Sequence, residues 1–198
     1  MPRHRRIEAR RPGRGPYLII VGVLAAAMIA GWTLVALRGP DHAPVACERP
    51  ETGLTVASTR LLGEAVAPPA EVPVRVLNAN GEAGEATAVA EQLAELGFGR
   101  HPEEAAGNDP VIAAQDLDCH GQLRFGADAI GRAGTLHLLL PCFELVQDRR
   151  IDGTVDVALG RGFDGLDDSA PVRAVLEALN AGEEPDPALT RDLPAATC

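Results

Sequence analysis

The sequence predicts an α/β protein: a single transmembrane helix followed by a small α/β sandwich, in which helices pack on one face of a three- to four-stranded sheet. Three observations predict this arrangement. Residues 17–37 form an uncharged apolar run. Apolar side chains alternate over 72–77 and again over 154–159. Between these two stretches, residues 85–96 have apolar side chains at helical spacing. A strand that leads into a helix packs that helix back onto the sheet, which gives the sandwich.

The apolar run over 17–37 has the length of a membrane span. As a helix, its 21 residues cover roughly 31 Å, about the thickness of the hydrocarbon core. Six arginines precede it, and basic flanks stay on the cytoplasmic side. We therefore predict a cytoplasmic tail over 1–16, a single-pass anchor in the cell membrane and an extracytoplasmic bulk. A removed signal peptide is the alternative, but its apolar core is shorter and a small-residue cleavage site should follow closely.

Small residues in the predicted span also allow a homodimer through this helix. Gly22, Ala26 and Ala30 recur every four residues, and this spacing lets two membrane helices approach closely. An alanine-rich composition explains the same pattern without a dimer. The sequence therefore predicts the membrane as a partner and leaves the dimer open.

The extracytoplasmic part divides by composition into three stretches. Residues 38–71 are proline-rich and indicate a spacer, with one short helix near 58–64. Residues 72–163 hold the α/β domain, and residues 164–198 hold a C-terminal helix and a polar tail. Beyond the elements already named, we predict a weak strand at 111–114, a firmer strand at 123–125, a second helix at 129–140 and the C-terminal helix at 171–180. Residues 143–146 are a candidate for a further extended segment.

All four cysteines, Cys47, Cys119, Cys142 and Cys198, follow the predicted span. An even number in an oxidising compartment predicts two disulfides, with three pairings to choose from. We favour Cys119 with Cys142, which ties the start of a strand to the end of the helix after it. Cys47 would then pair with Cys198 and join the two ends of the extracytoplasmic part.

The charge balance argues against nucleic acid as a partner. The chain has 18 basic residues, all of them arginine, and 28 acidic ones. Because six of the arginines precede the span, the remainder is strongly acidic and repels a phosphate backbone. Arginine without lysine, together with abundant alanine, glycine and proline, is typical of high-GC bacterial genomes.

Three segments resemble a known family. Residues 74–81 (VRVLNANG), 123–126 (LRFG) and 155–163 (VDVALGRGF) are similar to the LytR C-terminal domain family. In that family the domain often follows a LytR-CpsA-Psr catalytic domain, which attaches polymers to peptidoglycan. This chain has neither the length nor the arginine-rich pyrophosphate site of that domain. The resemblance therefore implies an actinobacterial envelope role without phosphotransferase activity.

The turn after the first predicted strand is the candidate ligand or partner contact. It lies between a strand and a helix N-terminus, where free N–H groups bind anions. Two glutamates already occupy this positive end of the helix dipole, which favours a structural tight turn instead. The same turn is the most recognisable motif of the family, so we predict contacts by its residues Asn78, Asn80 and Gly81. We also predict a contact by Arg124, which lies in the separate family-like segment 123–126.

No catalytic, metal or cofactor site is predicted. The P-loop, G-x-S-x-G and S-x-x-K motifs are missing from the sequence. Cys119 and His120 are neighbours in an extended segment and point to opposite faces, so a disulfide explains the cysteine better than a dyad. Asp164, Asp167 and Asp168 lack calcium-loop spacing, and capping of the next helix explains them.

We therefore predict a non-catalytic, membrane-anchored factor that supports cell-envelope integrity by binding an envelope or wall-assembly protein or a wall precursor. The alternative is a small-ligand receptor with a cleft between sheet and helices, lined by Val74, Val76, Leu123 and Phe125. Core packing explains these four residues more simply. A wall-polymer hydrolase or transferase is the third hypothesis, and it needs convergent carboxylates that the sequence does not show.

Overall fold

The computed structural model describes residues 20–25, 27–28, 47, 53–61 and 64–186. By its contacts the chain divides into two compact units, residues 1–41 and residues 42–198.

In the first unit, the described residues 20–25 and 27–28 are helical. The predicted tail over 1–16 and the remainder of the predicted span over 17–37 lie outside the described residues. Among the residues that the structure describes, none belongs to a helix of sufficient length and apolarity to cross a bilayer.

In the described residues of the second unit there is one mixed sheet of seven short strands. These are β1 Leu54–Val56, β2 Pro73–Asn78, β3 Gly99–Arg100, β4 Ala106–Asn108, β5 Gly121–Phe125, β6 Glu144–Gln147 and β7 Val155–Leu159. The order across the sheet is β1-β6-β5-β7-β2-β3, and β4 follows β3 alongside β2. Because β2 is parallel to β7 and β5 is antiparallel to β7, β5 begins at the edge where β2 and β7 end.

Three helices follow strands of this sheet: α1 Glu85–Glu95, α2 Ile130–Leu139 and α3 Ala170–Asn180. Their bounds agree with the predicted helices to within about one residue. Gly84 precedes α1 with a φ of 83°, and Gly97 follows it with a φ of 93°. Glycine adopts this left-handed conformation without steric cost, so these two residues set where the helix starts and stops.

The helices cover one face of the sheet, as the sequence predicts. Alternate residues of the strands, such as Val76 of β2, Leu123 of β5 and Val157 of β7, are fully buried in one core. Apolar residues of all three helices, including Leu136 and Leu176, belong to the same core. The α/β class and the one-sided helix layer are therefore confirmed.

The predicted number of strands is wrong, because the sheet has seven rather than three or four. The unpredicted strands β1, β3 and β4 are two or three residues long, too short for alternation to show. β1 lies in the stretch predicted as a spacer and pairs with β6. The predicted short helix at 58–64 is a single 3-10 turn, Ser58–Leu61.

The predicted strand over 111–114 is also wrong, because these residues form bends and turns. The carboxylate of Asp109 accepts a hydrogen bond of 2.8 Å from the backbone N–H of Val111. The N–H of Gln115 then donates to the carbonyl of Ile112 at 2.8 Å. An aspartate that bonds the backbone two residues on turns the chain instead of extending it.

The second face of the sheet is covered by loop rather than helix. Residues 109–120, called the covering segment below, pack Ile112, Leu117 and Cys119 against Leu77 of β2 and Ala158 of β7. These strand residues alternate with the ones in the helix-side core. The sheet is therefore buried on both faces, with helices on one and the covering segment on the other.

Candidate functional site

The turn after β2 is tied together by its own asparagines. The side-chain oxygen of Asn78 accepts a 2.8 Å hydrogen bond from the N–H of Gly81, and its amide donates to the carbonyl of Glu82 at 3.0 Å. The side-chain oxygen of Asn80 accepts from the N–H of Glu82 at 3.0 Å. Asparagine commonly closes turns in this way.

Asn80 also fastens the turn to the rest of the fold. Its side-chain amide donates to the carbonyl of Gly160, just after β7, at 3.1 Å and to the carboxylate of Glu85, the first residue of α1, at 2.7 Å. Asn78 and Asn80 are only 9% and 8% exposed. The turn is thus bonded to a neighbouring strand end and to a helix start.

Residues 81–84, called the exposed tip below, form the accessible part of this turn. Gly81 opens it with a φ of 88°, a conformation that side-chain-bearing residues adopt at a cost. Of the predicted contact residues here, Gly81 lies at the surface. The side-chain amides of Asn78 and Asn80 are already hydrogen-bonded within the turn and to its neighbours. The structure therefore places the asparagines as supports and the exposed tip as the surface they present.

Arg124, the fourth predicted contact residue, is buried beneath the covering segment. Its guanidinium donates to both carboxylate oxygens of Asp109 at 2.9 and 2.8 Å, and the two side chains are 2% and 0% exposed. It donates twice more to the side-chain oxygen of Gln122, at 3.0 and 2.9 Å. The expectation that Arg124 contacts a ligand directly is corrected, because its donors are engaged inside the fold.

This ion pair belongs to a polar chain that crosses three strands. Gln122 of β5 donates to the carboxylate of Glu144 in β6 at 2.7 Å, and Thr55 of β1 donates to the same carboxylate at 3.2 Å. Gln122 and Glu144 are 6% and 8% exposed. Buried polar groups need such partners. This series of hydrogen bonds therefore fixes how β1, β6 and the covering segment pack together.

A second charged cluster lies on the same face, around Asp156, which is the cross-strand partner of Arg124. Arg75 donates two hydrogen bonds of 2.9 Å to the carboxylate of Asp156, and Arg150 donates to the same carboxylate at 2.8 Å and to Asp148 at 2.7 Å. Burial raises the pKa of Asp156, but the hydrogen bonds from both arginines outweigh burial and the net pKa is lowered. The cluster is therefore ionised and internally neutralised at neutral pH.

The disulfide pairing predicted from the sequence is wrong. Cys47 is joined to Cys119, with 5.2 Å between their Cα atoms, so neither favoured pairing can form. Cys142 is also disulfide-bonded, and the described part of the chain contains no free cysteine. Cys119 packs on the covered face with Leu117, whereas Cys142 follows α2, which packs on the opposite face. Proximity along the chain could not show this difference of face.

The cleft predicted for a small-ligand receptor is filled. Val74, Val76, Leu123 and Phe125 are between 0% and 4% exposed and belong to the helix-side core. The space beside Val74 and Val76 measures about 10 Å³, which is at the lower limit for a single water molecule. The receptor hypothesis is therefore wrong at this position, because side chains occupy the space between sheet and helices.

Sequence reasoning missed the partners that the buried charges find. Asp109 lies in a loop of unremarkable composition, and nothing local indicates that it meets Arg124, fifteen residues later. A usable signal was present in the strands themselves. Polar residues alternate with the core residues in β5 (Gln122 and Arg124) and in β7 (Asp156). The second face of the sheet therefore had to be exposed to solvent or to pair its polar groups internally.

These features define a small α/β domain: a mixed sheet with helices on one face, a disulfide-fastened loop on the other and a hydrogen-bonded Asx turn at one edge. Residues 71–163 match the family model described as LytR cell envelope-related transcriptional attenuator, and the sequence-predicted domain spans 72–163. The chain belongs to the LytR C-terminal domain family.

Two relatives extend this match over most of the chain. The chain is 37% identical over 201 residues to "Cell envelope integrity protein Cei" of Mycobacterium tuberculosis (strain ATCC 25618 / H37Rv), covering 96% of this chain and 92% of that protein. A crystal structure of the soluble domain of a conserved hypothetical secreted protein from Mycobacterium marinum is 40% identical with a TM-score of 0.68. That comparison covers 75% of this chain and 100% of the other.

Proposed function

We propose that this chain is a non-catalytic, membrane-anchored extracytoplasmic factor that supports the integrity of a bacterial cell envelope. One observation carries the proposal: nearly the whole chain aligns with a protein named for cell envelope integrity. The envelope-related description of the matching family supports the same role.

The extracytoplasmic location has independent support in the chemistry of the second unit. Cys47 and Cys119 are joined, and disulfides persist in oxidising compartments outside the cytoplasm. The Mycobacterium marinum relative is described as secreted. The arginine-flanked apolar run over 17–37 supplies the anchor in this proposal, with the N-terminus in the cytoplasm.

Binding rather than catalysis is the activity that the geometry supports. The charged side chains on the covered face are consumed in ion pairs, as at Arg124–Asp109 and Arg75–Asp156. The exposed tip is presented on a turn whose polar atoms are already satisfied. A rigid surface of this kind loses little conformational freedom when an envelope-assembly protein or a wall precursor docks on it.

Deletion and complementation in a host bacterium test the proposed function. We expect cells without the protein to be sensitive to detergent, osmotic shock and wall antibiotics, and the full chain to restore resistance. A form exported without residues 1–37 should restore it poorly, because the domain is no longer held near wall synthesis. Deleted cells that resist all three stresses as well as the parent would contradict the proposal.

In-cell photocrosslinking tests the binding surface. A crosslinkable residue at Glu82 in the exposed tip should capture a discrete envelope partner. The matched control is Ile151, which is 88% exposed and lies in the loop before β7, whereas the tip lies beyond the end of β2, which runs parallel to β7. Equal capture from Glu82 and Ile151 would remove the exposed tip from the proposal.

A further inference from the structure

A cavity of about 240 Å³ lies at the edge where β5 and β6 begin, on the side of the helices. Its walls are His120, residues 139–143 at the end of α2, and residues 164–167 in the loop before α3. None of the turn residues 78–84 lines it. The cavity is therefore a separate candidate site at the same end of the sheet.

Backbone hydrogen bonds hold the walls of this cavity in place. The N–H of Asp167 donates to the carbonyl of Leu139 at 2.8 Å, which fixes the loop to the end of α2. The N–H of Phe143 donates to the carbonyl of Leu140 at 3.1 Å. The ring of Phe143 meets that of Phe163 edge to face, with 6.0 Å between centroids. The space is thus preformed rather than dependent on a ligand.

The cavity combines an apolar floor with an acidic rim. Leu139, Leu140 and Phe143 are between 2% and 5% exposed and form the floor. The cavity is lined by two carboxylate residues, Asp164 and Asp167, and His120 is the one basic residue among the lining residues. One oxygen of Asp167 accepts from the N–H of Ser169 at 2.9 Å, and no described residue donates a hydrogen bond to its second oxygen. The charge of the rim therefore suits a cation.

The size of the cavity restricts what that cation can be. Pockets for drug-sized ligands measure roughly 300–1,000 Å³, so this one accommodates about one side chain. Long amine side chains lay an aliphatic stem on apolar surface and keep the ammonium group at a polar rim. An ammonium group brings three donors, which two carboxylates can accept.

We propose that this cavity binds the ammonium-bearing aliphatic side chain of a peptide, the chemistry of a lysine or of a diamino acid. The inference deepens the proposed function and rests on it for the presence of a peptide-bearing partner. The stem lies on Leu140 and Phe143, and the ammonium group meets Asp164 and Asp167. The site names what the domain recognises on its partner, beside the exposed tip.

Titration of the full chain in detergent with Nα-acetyl-lysine amide tests the site, with binding followed by calorimetry or by backbone amide resonances. We expect Asp164→Asn and Asp167→Asn each to weaken binding about fivefold. Asp168→Asn is the matched control, because Asp168 is an exposed neighbour that does not line the cavity, and it should change the dissociation constant less than twofold. Unchanged melting temperatures of the three variants would show that the fold is intact.

Two neutral probes decide whether the charge is what is recognised. The norleucine analogue and Nε-acetyl-lysine amide keep the stem but lack the ammonium group, and we expect neither to bind detectably. Equal binding of norleucine, or equal losses in Asp168→Asn and the two rim variants, would overturn the inference.

The source of the ammonium group is distinguished by a second comparison. A wall-type peptide with a diamino acid is titrated against a protein-type peptide with lysine, and the tighter binder identifies the source. Binding of either one supports the ammonium site. If the chain restores envelope resistance but none of the ammonium probes binds to it, this inference is overturned and the proposed function is not.

Discussion

Replacing Asp109 by asparagine should strongly destabilise the domain. The carboxylate of Asp109 accepts two hydrogen bonds of 2.9 and 2.8 Å from Arg124, and the two side chains are 0% and 2% exposed. Asparagine keeps the shape but not the charge, so the buried guanidinium keeps only neutral acceptors, the remaining amide oxygen at position 109 and that of Gln122. Removing one member of a buried ion pair costs about 3 to 5 kcal/mol, a large part of the ~5–15 kcal/mol that stabilises a typical domain.

The chain supplies a matched control for this substitution. Asp118 pairs with Arg161 at 2.6 Å, a shorter distance than in the buried pair, but the two side chains are 77% and 54% exposed. Exposed pairs contribute at most about 1 kcal/mol, so Asp118→Asn should cost less than that. The comparison separates burial from distance as the source of the effect.

Guanidinium unfolding of the full chain in detergent, followed by far-ultraviolet circular dichroism, measures both variants. Tryptophan fluorescence would not report on the sheet, because the single tryptophan, Trp32, lies in the predicted span. Replacing both partners, Asp109→Leu with Arg124→Met, should recover most of the lost stability, since no buried charge is left unpaired. A cost of Asp109→Asn within 1 kcal/mol of the Asp118→Asn cost would refute the reasoning.

Three further predictions follow from individual residues. Cys47→Ser with Cys119→Ser should cost about 4 kcal/mol in the same unfolding assay, because it opens a loop of 72 residues. Gly81→Ala at a φ of 88° should destabilise by about 1 kcal/mol, whereas Gly134→Ala in α2, where the new Cβ meets only Val66 at 3.6 Å, should stabilise. Because the pKa of Asp156 is lowered from 3.8, its stabilisation is complete above that pH and is lost below it. Asp156→Asn should flatten this acid limb of the unfolding profile.

The helix-side half of the fold could be predicted because its signals are local and repeated. The alternation of Val72, Val74 and Val76 and the spacing of apolar residues in α1 each report burial within a few residues of chain. The short strands β1, β3 and β4 carry no such signal. Their backbone pairs with β6 and β2 because those strands offer free edges, and an edge is a property of the assembled sheet.

The turn that carries the candidate site was predictable in position, but its hydrogen bonds were not. The sequence of Asn78–Gly81 predicts a turn between strand and helix, and the structure has a turn there. Which turn residues are buried as supports and which are exposed depends on long-range contacts, such as that of Asn80 with Gly160. Arg124 was placed among the contact residues through the family resemblance, and its burial follows from the long-range ion pair with Asp109, which no local pattern shows.

The packing on the helix side of the sheet is easier to predict from the sequence than the packing on the covered side, because different interactions stabilise the two sides. The helix side is held by apolar area, which is additive and tolerates substitution by similar residues. The covered side has only a small apolar cluster and depends more on specific pairs: Arg124 with Asp109, Cys47 with Cys119, and the N–H of Leu117 with the carbonyl of Ala79 at 2.9 Å.

The specific pairs converge on the turn. Ala79 lies between the two asparagines that shape it, so the covering segment is bonded into the base of the exposed tip. Loosening any one of these pairs therefore reaches the tip without touching its residues. A partner that binds the exposed tip must then supply the ordering free energy that the native pairs otherwise provide. Under the proposed function we therefore expect the buried pair Arg124–Asp109 to affect recognition, although neither side chain is accessible to a partner.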